Sequence, residues 1–398
     1  MHWTPGGEPP SIPAIAEQYV IHGVTTVTDF HSAPESYAPK RAWLANLSAP
    51  HVAFAARMST PGGHGAMWAD NHTTYKISTP EDAAVAMKTL APYKPDLIKL
   101  FADGWRYGRK EENTSMDELT MKGMADAAHP LGLPVVAHVV TVDRAKKAAG
   151  AGVDVLVHAV QDGDADEELV QAMLSANMTY SPSLAVYEVT EAKKAYYDEE
   201  ALAMADNRQK HSMYNLKLFS EAGIPVATGT DAGMPKTPHG SSTHREMELL
   251  VAGGLTPEQA LVAFTTSIAA ATADTMASEI GVLSPNPVMI TDPRKIVEPG
   301  TDGGISLEGT IASLLSSVSM SMLSFAAFLL VIEQNHPLYS SFEINHLYIS
   351  AFFGFFGSII DSFLGATLEN RGILGNSGVN FCSITLTVLL SLLFLSIS

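Results

Sequence analysis

The stretch "VATGTDAG" at residues 226–233 places a short apolar run directly before an acidic residue, Asp231. It decides the fold because six similar runs precede it, namely "GVTTVTDF" (23–30), "HVAFAARM" (51–58), "DLIKLFADG" (96–104), "PVVAHVV" (134–140), "DVLVHAV" (154–160) and "MTYSPSLAV" (178–186). Such runs are typical of strands covered on both faces. Helical segments such as "STPEDAAVAMKTLAP" (78–92) separate them, and this alternation predicts a parallel sheet of the α/β class.

Composition excludes several classes of function. The 398 residues carry a net charge of -18, which disfavours any nucleic-acid partner. Cys382 is the single cysteine, so a disulfide framework and a Cys-rich zinc site are both excluded. A metal site would therefore use carboxylates and some of the 14 histidines. The length favours two domains, and the first residues lack the pattern of a secretory signal.

The last quarter of the chain has a different character. Three apolar stretches, 309–332, 347–368 and 378–398, each reach the length of about 20 residues that a bilayer requires. Their basic flanks are Arg294, Lys295 and Arg371, which predicts a multi-pass membrane protein with the N-terminal domain on the cytoplasmic side. The alternative is a buried helical hairpin within a large soluble core. If the two parts are not naturally joined, the N-terminal domain is expected to be cytoplasmic.

Four of the seven predicted strands end in a residue that could bind or share a divalent cation: Lys99, His138, His158 and Asp231. In a parallel barrel the carboxyl ends of the strands converge on one face, where active sites of that fold lie. Taken singly, each residue has a structural explanation, such as a buried histidine bonded to a carbonyl or an aspartate that caps a helix. His239, in "KTPHG" beyond Asp231, is either a substrate contact or an ordinary loop histidine.

Metal-assisted hydrolysis is the chemistry that fits these residue types. Imidazoles and carboxylates hold an ion that acidifies a bound water and polarises a carbonyl. Asp231 could then take the proton of that water and pass it to a leaving nitrogen. Lys99 cannot bind metal as an ammonium, so it would act deprotonated or as a carbamate.

The runs "IKLFADG", "VVAHV", "GVDVLVHA" and "VATGTDAG", followed by "STHREMELLVAGGLTPEQALVAFTTSIAAA", resemble the imidazolonepropionase and Xaa-Pro dipeptidase branch of the metal-dependent amidohydrolase superfamily over residues 15–286. The resemblance implies a (β/α)8 barrel of the TIM type and a small-molecule or dipeptide-like substrate. It further implies Lys99 as a carboxylated bridging lysine, His138 and His158 as ligands of one metal, and Asp231 as ligand and general base. The implied cofactor is a divalent metal, zinc, as one or two ions.

Two features depart from that family. Its first strand carries an H-x-H pair, whereas this chain begins "MHW", which leaves His2 as a candidate metal ligand without its strand. We therefore expect a barrel that lacks its first strand and the family's small β-sandwich. The resulting open edge would favour self-association into a homo-oligomer.

Residues 287–398 resemble the C-terminal part of an integral-membrane family that includes phytyl-phosphate kinases, on "GTDGGISLEGTIAS" (300–313) and "GSIIDSFLGATL" (357–368). Asp302 and Asp361 are candidates for a polar site in this part. Asp302 is equally consistent with a turn residue, whereas a carboxylate within an apolar run, such as Asp361, usually faces a functional cavity. The absence of a G-x-x-x-x-G-K-[ST] motif excludes a P-loop kinase.

The sequence thus predicts an N-terminal barrel domain (1–286), a junction and loop (287–304) and a membrane-embedded segment of about three helices (305–398). The favoured function is hydrolysis of C–N bonds in amides or cyclic amides. One alternative is a membrane protein of prenyl-phosphate metabolism in which the barrel is a passenger. The other is a composite of two genes without a unified function.

Overall fold

The computed structural model describes residues 12–67, 73–108, 111–195, 197–331, 343–371 and 376–397. His2 and the "MHW" start lie outside these residues, so the proposed role of His2 stays a prediction. The chain divides into two compact units, Met1–Leu255 and Thr256–Ser398. They are called the N-terminal unit and the helical unit below, and each is described by itself.

The N-terminal unit is built on a half-barrel of parallel strands in the order β1-β2-β4-β5-β6-β7, with β3 paired to β2. The strands are β1 (Thr26–Asp29), β2 (His51–Ser59), β3 (Thr74–Lys76), β4 (Leu97–Phe101), β5 (Val135–His138), β6 (Val155–Val157) and β7 (Thr179–Ser181). The helices are α1 (Ile12–Ile21), α2 (Tyr37–Leu44), α3 (Pro80–Leu90), α4 (Glu118–Ala128), α5 (Val142–Gly150), α6 (Glu167–Ser175), α7 (Leu184–Tyr187), α8 (Glu191–Lys194), α9 (Glu199–Glu221) and α10 (Ser241–Ala252).

Local sequence explains where the helices start. The Thr79 side chain accepts a hydrogen bond from Asp82 N–H, and Pro80 occupies the first turn of α3. Asp166 caps α6 in the same way, through Leu169 N–H. The largest apolar core of the unit lies between strands and helices, and Ile98 and Leu100 of β4 are fully buried in it. This core fixes the strands, and therefore the positions of the residues at their carboxyl ends.

The strand predicted at 225–233 is only partly formed. Tyr180 N–H donates to Pro225 O at 2.8 Å and Ala227 N–H donates to Tyr180 O at 2.8 Å, and Val226 makes a single bridge to Tyr180. Among the described residues no strand pairs with the other side of this run, so it leaves the sheet after Ala227. In contrast, β3 was not predicted, because its three residues show no alternating pattern.

The helical unit consists of α11 (Pro257–Gly281), α12 (Leu307–Val331), α13 (Ile344–Leu364) and α14 (Asn376–Ile397), with β8 (Val288–Met289), β9 (Asp292–Ile296) and β10 (Gly304–Ile305) between α11 and α12. These strands form a small antiparallel sheet in the region predicted as a loop. Helix α11 was predicted as the last helix of the barrel domain, yet it packs against α12, α13 and α14.

Two segments of the described chain are long and apolar enough to cross a membrane, Leu307–Ala326 and Ile344–Glu369. They correspond to the first two predicted spans. The third predicted span contains a shorter apolar helix, Cys382–Leu395.

Candidate active site

The carboxyl ends of β4, β5 and β6 bring three of the predicted residues together. Lys99 lies on β4, His138 ends β5, and His158 directly follows β6. All three are buried, with exposed fractions of 2%, 2% and 7%. The His138 and His158 rings meet edge to face with their centroids 4.7 Å apart. The parallel register thus produces the clustering that the strand-end pattern predicted.

A third imidazole, which the sequence analysis missed, completes the cluster. His64 stacks on His138 with ring centroids 4.3 Å apart and an interplanar angle of 12°. It lies in the loop "TPGGHG" (60–65) that follows β2. A histidine after the carboxyl end of a barrel strand was the available signal, because that end carries the active site in this type of fold.

Two of the three imidazoles, those of His64 and His138, are held neutral. Burial lowers the pKa of His138 well below its usual value, and the neighbouring His64, His158 and Lys99 lower it further. Burial also lowers the pKa of His64 to about 4, with Arg106 the next contributor. Neutral imidazoles with accessible lone pairs are the form that binds metal ions.

Lys99 is the most strongly perturbed amine of the site. Its pKa is lowered to about 7, chiefly by burial; the charge of Asp231 opposes this shift and that of Arg57 adds to it. Its Nζ lies 4.8 Å from the ring centroid of Phe30 and 5.7 Å from that of Phe101. An amine in such apolar surroundings is largely neutral at mildly alkaline pH, which is the form that reacts as a nucleophile.

Asp231 is electrostatically coupled to this cluster. Its charge raises the pKa values of both Lys99 and His64 against the dominant effect of burial. Asp231 and His158 also share an unusual backbone, with φ angles of 53° and 83°. Positive φ angles at non-glycine residues cost free energy and concentrate at functional sites. Both strained residues are ones that the sequence singled out.

Two tyrosines line the site beside His158. The Tyr187 ring contacts the His158 ring edge to face at 5.9 Å, and the Tyr107 and Tyr187 hydroxyls are 3.2 Å apart. Helix α7, which carries Tyr187, is held by buried Glu246, whose carboxylate accepts from Leu184 N–H at 2.8 Å and from Ala185 N–H at 2.7 Å. Burial raises the pKa of Glu246 to about 8.

His239 is held by a partner from α1. Its Nδ1 lies 2.9 Å from the Tyr19 hydroxyl, and the two rings meet edge to face at 5.4 Å. Burial raises the pKa of Tyr19, followed by the charges of Asp29 and Asp231. His239 therefore lies on the Asp231 side of the site, and its contact with substrate stays a prediction.

The donor set fits a divalent cation in its chemistry. His138 Nε2 is buried without a hydrogen-bond partner, and the His138 ring lies against the rings of His64 and His158. Among the described residues, however, no group of three or more His, Cys, Asp or Glu side chains is arranged closely enough to hold a metal ion.

The polar residues of the helical unit form a separate group. Asp361 Oδ1 accepts from the Ser383 hydroxyl at 2.8 Å, and the Asp361 side chain also bonds Asp274 of α11. The Asp302 carbonyl accepts from Asn370 Nδ2 at 2.9 Å. The structure thus brings Asp361 together with an acidic residue that the sequence analysis did not consider.

Two family models match the chain. The model of the amidohydrolase family matches residues 11–286, and that described as integral membrane protein DUF92 matches residues 225–388. An uncharacterized membrane protein of Methanocaldococcus jannaschii is 32% identical over 149 residues, covering 35% of this chain and 57% of that protein. Protein PGR of Arabidopsis thaliana is 34% identical over 143 residues, covering 30% of this chain and 49% of that protein. The chain thus spans about half the length of these curated relatives.

Solved structures resemble about two thirds of the chain. A Xaa-Pro dipeptidase with bound methionine aligns with a TM-score of 0.54 at 20% identity, covering 65% of this chain and 70% of that one. A putative prolidase from Bifidobacterium longum aligns with a TM-score of 0.52 at 25% identity, covering 62% and 61%. An ochratoxinase of A. niger aligns at 0.53 and 20% identity, covering 62% and 60%. These likenesses confirm the predicted fold class.

Proposed function

Because the chain belongs to the amidohydrolase family and carries an integral membrane domain, we propose that its N-terminal unit hydrolyses a C–N bond in a small amide or cyclic amide, dipeptide-like substrates included. One observation carries the proposal: the imidazoles of His64, His138 and His158 cluster beside the buried amine of Lys99, and the charge of Asp231 acts on this cluster. Such convergence of costly buried polar groups is typical of an active site.

The residues have distinct proposed roles. His138, His158 and carboxylated Lys99 would hold one or two divalent cations, with zinc as the proposed ion. A bound cation supplies an acidified water and polarises the scissile carbonyl. Asp231 accepts the proton of the attacking water and delivers it to the leaving nitrogen. Tyr107 and Tyr187 form an amphipathic wall beside His158 that limits the shape of the substrate.

The test uses the full-length chain purified in detergent. We expect bound zinc after purification, measured by mass spectrometry of the metal, and hydrolysis of at least one member of a panel of dipeptides, N-acyl amino acids and cyclic amides. His138→Asn should lose both. His129→Asn is the matched control, because His129 is exposed and pairs with Asp154 at 2.9 Å. Equal metal content in the two variants would contradict the proposal.

A second function rests on the helical unit. Asp361 lies on an apolar helix and bonds both Ser383 and Asp274, as expected of a polar site within a membrane. On the resemblance to phytyl-phosphate kinases, the expected activity is nucleotide-dependent phosphorylation of prenyl phosphates. Membranes containing the chain should show this activity, and Asp361→Asn should remove it. Activity that persists in Asp361→Asn would exclude the assignment.

The composite alternative concerns the junction, and the two family models overlap over residues 225–286. Trypsin should release one peptide from Glu246 to Arg294 that crosses both proposed boundaries, at 255 and at 286. Detecting it in native membranes would establish a single chain. Peptides of both parts without this one would favour two separate proteins.

A further inference from the structure

Helix α11 contacts α13 both near its start and near its end. Val262, near its start, clusters with Ile349 and Phe353 of α13. Asp274, near its end, bonds Asp361 of α13. Twelve residues separate the two contact points on each helix, so α11 and α13 run parallel and in step.

The middle of this contact is unusually close. A Cβ atom on Gly354 would lie 2.5 Å from the Ala269 Cβ, and one on Gly357 would lie 2.9 Å from the Ala270 Cβ. Close approach of helices through glycine and alanine is the mode of packing that membrane helices use, since apolar burial offers no gain inside lipid. Helix α13 is one of the two segments long and apolar enough to span a bilayer.

The second membrane-length helix, α12, packs against α11 in the opposite direction. A Cβ atom on Gly309, near the start of α12, would meet Ala277 O at 2.8 Å, and Gly281 lies beside it. A groove of about 570 Å³ lies between the two helices. Met276 and Ile280 of α11 and Ile311 and Leu315 of α12 line it, together with the polar residues Thr272, Glu308, Ser316 and Ser319. Its surface continues the exposed apolar side chains of α12, which suit acyl chains.

From these contacts we propose that α11 is itself a membrane-spanning helix, so that the helical unit crosses the bilayer four times. The proposal rests on the membrane domain and is independent of the hydrolase activity. Helix α11 has 25 residues. At about 1.5 Å per residue, that length exceeds the roughly 30 Å of a hydrocarbon core. Asp274 and four threonines interrupt its apolar run, but their polar groups have partners or are buried. Thr265 and Thr266 are buried, and Asp274 bonds Asp361. The hydroxyls of Thr272 and Thr275 donate to Ile268 O at 2.7 Å and Ala271 O at 2.9 Å within the helix.

A fourth crossing changes the sidedness of the chain. The basic residues Arg294 and Lys295 then lie across the membrane from Ala252. The charges of Arg294 and Lys295, which suggested that the N-terminal domain is cytoplasmic, then no longer indicate that side. If α11 does not cross the bilayer and only three helices do, Ala252 and Glu298 lie on the same side of the membrane.

The experiment uses the full chain with Cys382→Ser, which removes the single cysteine. New cysteines are introduced one at a time at three exposed residues, Ala252, Glu298 and Arg371. Sealed membrane vesicles of one orientation are treated with a membrane-impermeant maleimide, with and without detergent. We expect Glu298→Cys and Arg371→Cys to share one labelling pattern and Ala252→Cys to show the opposite one.

The outcomes separate cleanly. Labelling of Ala252→Cys and Glu298→Cys from the same side would overturn the fourth crossing. Release of the chain from membranes by alkaline carbonate would overturn it as well, because the helical unit would then not be embedded. Labelling in detergent confirms for each variant that the cysteine is reactive. Activity measurements play no part, so a failed hydrolase assay leaves this result unaffected.

Discussion

Asp231 and Asp302 lie in nearly identical short sequences, "GTDAG" (229–233) and "GTDGG" (300–304), yet the charged groups around them differ in sign. Asp231 acts on a buried amine and an imidazole, Lys99 and His64. Asp302 lies in a loop of the helical unit near two other carboxylates, Asp361 and Glu369. The comparison shows that a short acidic motif acquires its chemistry from the groups that the fold places beside it.

The largest expected difference is in hydrolysis. Asp231→Asn removes the proposed proton carrier, so we expect kcat to fall by about 10²–10⁴-fold on the substrate found in the panel. Asp302→Asn should leave kcat unchanged, because Asp302 belongs to the helical unit. Equal loss of activity in the two variants, both with the circular dichroism of the wild type, would contradict the contrast between Asp231 and Asp302.

The chemistry of Lys99 provides a second contrast. Because its pKa is lowered to about 7, Lys99 is mostly neutral at pH 8 and should react with carbon dioxide, whereas an exposed lysine stays protonated. We expect a carbamate signal in the ¹³C spectrum of protein equilibrated with labelled bicarbonate, and its decline below pH 7. Lys99→Arg should remove the signal and Lys122→Arg, at an exposed position, should not. A signal that survives Lys99→Arg would place the carbamate elsewhere.

Glu246, which holds helix α7 beside the site, provides a test by pH dependence. Its pKa is raised from 4.5 to about 8, so the folded state holds a proton that the unfolded state releases. The contribution of Glu246 to the stability of the folded state is fully present below pH 4.5 and is lost as the pH rises through about 8. Between pH 5 and 8 we expect the wild type to lose about 1–3 kcal/mol more than Glu246→Gln in the free energy of unfolding, followed by tryptophan fluorescence. Glu248→Gln, at an exposed position, should follow the wild type.

The smallest effect concerns the hydroxyls of the helical unit. The Ser317 hydroxyl donates to Ala351 O of α13 at 2.7 Å, whereas that of Ser316 donates to Ser313 O within its own helix. Ser317→Ala should cost about 0.6 kcal/mol, as other hydrogen bonds between membrane helices do. Ser316→Ala should cost less. Thermal unfolding in detergent measures both, and a reversed order would argue against α12 and α13 as packed partners.

Much of the N-terminal unit was predictable because its strands are short, apolar and bounded by helices. Lys99 and His138 could be located since a strand end fixes where a side chain lies. His64 could not, because the path of a glycine-rich loop has no periodicity to follow. Helix α11 was predicted as a helix, but its packing against α12, α13 and α14 was not predictable, since its alanines and threonines surround the axis without a clear apolar stripe.

The parallel contact between α11 and α13 also describes how the helical unit is assembled. Helices α11 and α12 form one antiparallel hairpin, and α13 and α14 form a second in the same direction, with α12 packed on α13 and α14 packed on α11. The four helices are thus two antiparallel hairpins packed side by side. The bond between Asp274 and Asp361 therefore joins the first helix of one hairpin to the first helix of the other, which makes it a link between the hairpins and not within either of them.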